Sequence, residues 1–319
     1  MSIEITIDNS SGEKLARARA GTQIAIWNDA MSWLGPLREY ARISTAVRPA
    51  LRSGADDPLR ADSPKTSTDS TERRLLFLGW EVEALVAKHK AQFTSAHSML
   101  MHVFFNELGF SISDDADLRR HEGLATLLDT VLARRTGPAS LISILHSWCA
   151  EIVARAYGET CDFTRVEPTH GTPTEVVRVI PRNDVGEVWL VDLSERGARV
   201  DESVWSPWCA TSKLAGFTRL TFAQGLVRSL TEMFSALEKM SNLTLDLLTA
   251  QLFVLDQVIS LQPSETSRWA ERAVLNTRRG DRTSALDDLK RFFAFHERDS
   301  APAAIITLFD DLRRGDLHS

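Results

Sequence analysis

The chain has few cysteines and no long apolar run. Cys149, Cys161 and Cys209 are the three in 319 residues, and an odd number at irregular spacing supplies neither a disulfide framework nor the C-x-x-C spacing of a zinc site. A reducing compartment is the expectation. No stretch approaches the ~20 apolar residues that a membrane-spanning helix requires. Glu4, Asp8, Glu13 and Lys14 interrupt the short apolar runs near the start, which is not the basic opening and apolar core of a secretory signal. The expected location is therefore the cytoplasm, with no membrane partner. Blocks of like charge are missing too. With 43 acidic against 37 basic residues and a net charge of -6, the chain lacks the basic face that phosphate binding wants, so no nucleic-acid partner is expected.

What is present is an ordinary globular composition, 43% hydrophobic and 25% charged with 16 Gly and 11 Pro, which excludes collagen-like and wholly disordered chains. The length suffices for about two domains of roughly 150 residues and a core that needs no disulfides.

Ile3, Ile5 and Ile7 alternate with polar residues and predict one short strand. A weakly helical stretch with Trp27, Trp33 and Leu34 follows. From Arg52 to Thr71, Pro58, Pro64 and many Ser, Thr and Asp leave little apolar surface, which predicts a flexible linker. Helical spacing then appears in Leu75, Leu76, Leu78, Val82, Leu85 and Val86, again from about Ala96 to Leu108 with a stop at Gly109, and in Leu127, Leu128, Val131 and Leu132. The clearest stripe is Leu141, Ile144, Leu145, Trp148, Cys149, Ile152, Val153 and Ala156, which predicts a buried central helix over about 138–157. Strands are expected at Asp162–Val166, Glu175–Ile180 and Glu187–Leu193, the last two joined by the hairpin-like PRNDVG. Helices are expected at 221–239, 244–260, 265–278 and 281–296.

The segments FFNELGF (Phe104–Phe110), LLDTVLARRTGPASL (Leu127–Leu141), EVVRV (Glu175–Val179), VDL (Val191–Leu193) and RAVLNTRRGDRTSALDDLKRFF (Arg272–Phe293) occur in an order that resembles the SirB-type bacterial proteins. Those proteins join a transglutaminase-like core to a tetratricopeptide-like tail. The resemblance covers roughly residues 75–297 and implies an α+β fold. A papain-like core of helices packed on a small antiparallel sheet would occupy 72–216 and an all-helical tetratricopeptide-like tail 217–319. Residues 1–51 form an N-terminal segment and 52–71 the linker.

Active members of the wider transglutaminase-like group carry a Cys-His-Asp triad, in which a helix N-terminus and an imidazole stabilise a thiolate and an Asp orients the His. The resemblance places the nucleophile position on Pro138, or Ala139 after a slip of one, the His position on Thr174 and the Asp position on Asp192. Only Asp192 keeps its type, so catalysis is not expected. An alternative set is Ser140, His170 and Asp192, and Cys161 is a further candidate nucleophile for a hydrolase or acyltransferase. Cys149 lies in the apolar stripe and is expected to be structural.

Trp205 and Trp208 beside Cys209 are expected to bury a junction between domains, a binding platform being the alternative, and Arg278, Arg279 and Arg282 to form a solvated charge run, with a site for an anionic partner as the alternative. His97, His102 and His121 show no helix-spaced pair with a carboxylate, so no metal site and no cofactor are expected. The functional expectation is a non-catalytic protein that acts by interaction with a protein partner or in regulation.

Overall fold

The computed structural model describes residues 33–52, 68–113, 124–158, 162–166, 176–180, 189–193, 196–199, 217–218, 221–240 and 244–315. The strand expected at Ile3–Ile7, Trp27, most of the expected linker and the PRNDVG loop lie outside them.

Helix α1 (Leu34–Arg52) tolerates Pro36 because it falls in the first turn, where the missing N–H would have had no intrahelical partner. Leu37, Tyr40, Ala41, Ser44, Val47 and Arg48 recur at helical spacing and are all buried. Helix α2 (Thr68–His89) begins inside the stretch expected to be linker and buries Leu75, Leu78, Val82 and Val86. Helix α3 (Ala96–Met101), capped by the Ser95 side chain on the Ser98 N–H, passes into a π-helical segment, His102–Glu107. Helix α4 (Leu128–Arg134) ends at Arg135 in the left-handed region.

These elements enclose α5 (Ala139–Tyr157), which follows the extended Pro138 and stops at Gly158 with φ 66°. Leu141, Ile142, Ile144, Leu145, Trp148, Cys149, Ile152 and Val153 are all buried in it, and they occupy nearly every side of the helix. A helix apolar over most of its circumference needs walls on all sides. Helices α1, α2 and α3 supply three of them, and α6 (Phe222–Glu238) the fourth. Two details, one polar and one aromatic, fix α1 here. The Trp33 main-chain N–H at its start donates to Oε1 of Glu151 on α5 at 2.9 Å, placing a carboxylate at the positive end of the helix. The Trp33 ring stands edge-on to Phe222 with centroids 4.7 Å apart. Gly225 permits this, since a Cβ there would come within 2.7 Å of the indole.

Beyond α6, α7 (Leu245–Leu261) joins the main core, and α8 (Ser267–Arg278) and α9 (Arg282–Phe293) form a hairpin about Gly280 that adds Trp269, Ala270, Leu275 and Phe292 to that core and packs on α10 (Ala303–Arg314). Arg272 ties this end together, meeting Asp256 of α7 at 2.6 Å and both carboxylate oxygens of the buried Asp288 at 2.6 and 2.9 Å. Among the described residues no helix is long and apolar enough to cross a membrane.

The expectation of an α+β, transglutaminase-like core is overturned, for the fold is predominantly helical. The strands embedded among the helices are a short parallel pair, β1 (Ser111–Ile112) and β2 (Thr136–Gly137), not an antiparallel sheet. The segments expected as strands do form β3 (Asp162–Val166), β4 (Val176–Ile180) and β5 (Trp189–Asp192), which with β6 (Ala198–Arg199) and β7 (Phe217–Thr218) pair antiparallel in the order β6–β5–β4–β3–β7. That ribbon's described anchorage is one turn, where Leu193 is buried and Arg196 donates to the Phe105 carbonyl at 2.6 Å. The physical reason for the difference is that α1, α2, α3 and α6 cover α5, so the papain-like arrangement of a central helix lying on a sheet is not what forms. The helical tail was expected correctly in part, since α6 and α7 lie in the main core while α8–α10 also build a small core of their own from Ala273, Ala285, Leu289 and Leu312.

Arg48 of α1 pairs with Asp129 of α4, and both side chains are buried. Breaking a buried pair from one side strands a charge, at a cost of about 3–5 kcal/mol, whereas replacing both partners by apolar groups is often close to neutral. Arg48→Met is therefore expected to lose stability of that order in urea unfolding, and Arg48→Met/Asp129→Leu to recover most of it. A double variant no more stable than the single one would contradict this account.

Candidate functional site

Pro138, at the nucleophile position implied by the resemblance, is buried and precedes the first helical residue, its carbonyl accepting from the Ile142 N–H at 3.0 Å. Ser140 is also buried. Its hydroxyl donates to Oε2 of Glu232 at 2.5 Å and accepts from the Ser229 hydroxyl at 3.0 Å, both on α6. These bonds knit α5 to α6. Asp192 sits in β5, opposite Val176 and Ala198. Thr174, His170, Cys161, Trp205, Trp208, Cys209 and His121 lie outside the described residues. Of the three tail arginines, Arg279 bonds Asn276 and Asp281 at 3.0 Å each and Arg282 bonds the Leu312 carbonyl, while Arg278 is exposed.

Two reactive groups of α5 are sealed in the core. Burial pushes the Cys149 thiol well up from its ordinary range, which disfavours the nucleophilic thiolate. Burial first, and the charge of neighbouring His97 second, pushes the His146 imidazole down to about 3. Its ring stands against Phe104 and Phe105, with centroids 5.0 and 6.0 Å away.

The outer face of α2 is different in kind. The side turned away from α5 carries Leu76, Phe77 and Trp80, which are 40%, 63% and 67% exposed. They border a groove of about 720 Å³ between α2 and the C-terminal end of α4, completed by Leu78, Leu132 and Ala133. The charged residues that line it, Arg73, Arg74 and Arg135, are all basic. Arg74 donates to the Asp129 carbonyl at 3.4 Å. Arg135 is held over the Phe110 ring at 4.9 Å and pairs with Glu81 at 2.9 Å. The sequence signal for this face was present but hard to use: residues 76, 77 and 80 widen the apolar stripe of α2 beyond the arc that one neighbour can cover.

A second cluster lies at the other end of α2. Nε2 of His89 and Nε2 of His102 both approach Oε1 of Glu107, at 3.0 and 3.3 Å. Spacing of five residues puts two side chains on opposite sides of an α-helix, but a π-helix has about 4.4 residues per turn and brings them to one face. That is why a search for helix-spaced pairs missed His102 and Glu107. His89 arrives from the last turn of α2, with Nδ1 3.2 Å from Oε1 of Gln92.

Compared with known proteins, the chain matches no protein-family model, no curated protein and no solved structure.

Two outcomes follow from the sealed groups. Cys149 should resist iodoacetamide in the native protein at pH 8 and react once denaturant opens the core, as read by mass mapping; native labelling of Cys149 would contradict its burial. The folded state also keeps His146 neutral, while the unfolded chain binds a proton near pH 6.5. Its contribution is therefore complete above about pH 6.5 and lost as the pH falls toward 3, by about 1.4 kcal/mol per pH unit. His146→Leu should flatten the decline of urea-unfolding stability between pH 6.5 and 5 by that amount. Equal slopes in the two proteins would show that His146 does not carry it.

Proposed function

We propose that this is a non-catalytic interaction protein that docks an acidic, amphipathic helical segment of a partner protein in the groove along α2. The observation that carries the reading is the exposed Leu76–Phe77–Trp80 face, whose lining charges are all basic. Three large apolar side chains left together in water favour a covering surface, with about 1.5–3 kcal/mol available for each that becomes fully buried. An aromatic pair on a rigid helix also loses little side-chain freedom on binding. Arg73, Arg74 and Arg135 select the sign of the partner's flank, because complementary charge steers encounter and penalises basic segments. A helix suits the groove's shape, with apolar anchors at i, i+3/i+4 and i+7 meeting an apolar floor. The absence of chemistry is supported by the burial of Ser140 in bonds to α6 and by the raised Cys149 thiol.

A photoreactive residue at position 77, used in cells of the host, tests the proposal. The expected crosslink is to a segment of another protein with acidic residues flanking an apolar helical face. As a synthetic peptide, that segment should bind the full-length chain. Phe77→Ser/Trp80→Ser should weaken its binding roughly thirty-fold or more, equivalent to about 2 kcal/mol, and Arg73→Glu/Arg74→Glu should weaken it further at low salt than at high salt. Crosslinking to another copy of this chain, to a basic segment or to nothing would overturn the reading, as would peptide binding that ignores both variants.

A further inference from the structure

We propose that His89, His102 and Glu107 bind a divalent transition-metal ion of the zinc class. Their three ligand atoms lie within 4.8 Å of one another. A tetrahedral ion with bonds of 2.0–2.1 Å holds its ligand atoms about 3.3–3.4 Å apart. The 3.0 and 3.3 Å separations from Oε1 of Glu107 to the two Nε2 atoms are already close to that edge. Small side-chain rotations bring the set onto one ion.

The protonation logic strengthens the geometry. The Gln92 side-chain oxygen accepts only, so Nδ1 of His89 carries the proton and donates to it. In the neutral ring that tautomer turns the lone pair of Nε2 toward the carboxylate of Glu107, 3.0 Å away. Two electron-rich atoms at that distance repel unless a cation, either a proton or a metal ion, stands between or beside them. Both Nε2 atoms are buried, and neither makes a hydrogen bond of acceptable geometry. His89 is 8% exposed, so water does not readily take that role. A metal ion resolves the conflict, and Gln92 then serves as the outer partner that orients the ligating ring.

The donor set selects the class of ion. Two imidazole nitrogens and one carboxylate oxygen favour zinc and its transition-metal neighbours over magnesium or calcium, which prefer oxygen alone. Three protein ligands leave a fourth position for water, and Glu107 and His102, at 30% and 25% side-chain exposure, keep that side accessible. The Phe93 ring lies 4.9 Å from the His102 ring, tilted 33° to it, and gives that imidazole an apolar neighbour. The ion would also pin the last turn of α2 to the π-helical segment, giving that irregular backbone a stabilising role for its shape. This inference does not depend on what occupies the groove.

The test is titration of chelator-treated full-length protein with Zn²⁺ by calorimetry and with Co²⁺ by visible absorption. One equivalent of Zn²⁺ is expected at micromolar affinity or tighter, with the intense visible bands of four-coordinate Co²⁺. Glu107→Gln, which preserves shape, and His102→Ala should each weaken Zn²⁺ binding at least a hundred-fold, and Gln92→Ala about ten-fold through ring orientation. Circular dichroism and urea unfolding of each metal-free variant establish that it is folded; Glu107→Gln alone suffices should the others not fold. Stoichiometric binding that survives Glu107→Gln unchanged would assign the ion elsewhere and overturn the proposal. Octahedral Co²⁺ spectra or affinity no better than millimolar would overturn it as well.

Discussion

The enclosure of α5 is the constraint on which the rest of the structure depends. A helix with Leu141, Ile142, Leu145, Trp148, Cys149 and Val153 buried around its circumference cannot rest on one neighbour. Each side exposed to water would forfeit about 25 cal/mol for every Å² of apolar area left uncovered. The chain meets this demand by bringing α1 from the N-terminal side of α5 and α6 from its C-terminal side onto the same helix. Close approach then sets the local details, such as Gly225 beneath the Trp33 ring and Glu151 at the start of α1.

The same enclosure seals off the reactive groups of α5. Its hydroxyl, imidazole and thiol groups at Ser140, His146 and Cys149 are the raw materials of acyl transfer, yet each is buried. Ser140 holds α6, His146 fits among phenylalanine rings and Cys149 fills core volume. Polar opportunity is displaced to the two ends of α2, whose inner face is used up in covering α5. One end presents the apolar and basic groove, the other contributes His89 to the imidazole and carboxylate cluster.

Much of the helical framework was legible before any coordinates. The limits expected for the central helix and for the helices at 221–239, 244–260, 265–278 and 281–296 fall close to α5–α9, because stripe periodicity and the signals at Pro138, Gly158 and Gly280 are local. Three local strands were also correctly placed at β3, β4 and β5. The error lay in assembling them, because a list of elements does not say which of them covers the central helix. Helix α1 was read only as a weakly helical stretch near Trp33, and its polar Arg48 becomes interpretable only beside Asp129. The groove and the His89–His102–Glu107 cluster were missed for related reasons. The first needs knowledge of which part of a wide apolar stripe is already covered. The second needs a π-helical turn that α-helical spacing does not anticipate.

The sequence by itself determined that the chain is helical over α5–α9 and that α5 would be deeply buried, since both follow from residue type and near-neighbour spacing. Only the tertiary structure decided what surrounds that helix, which apolar residues stay in water and which imidazoles meet a carboxylate. Those outcomes depend on contacts between residues far apart in the chain, as when Trp33 meets Glu151 and Ser140 meets Glu232, and the energies that select them are sums over whole faces that no short window of sequence contains.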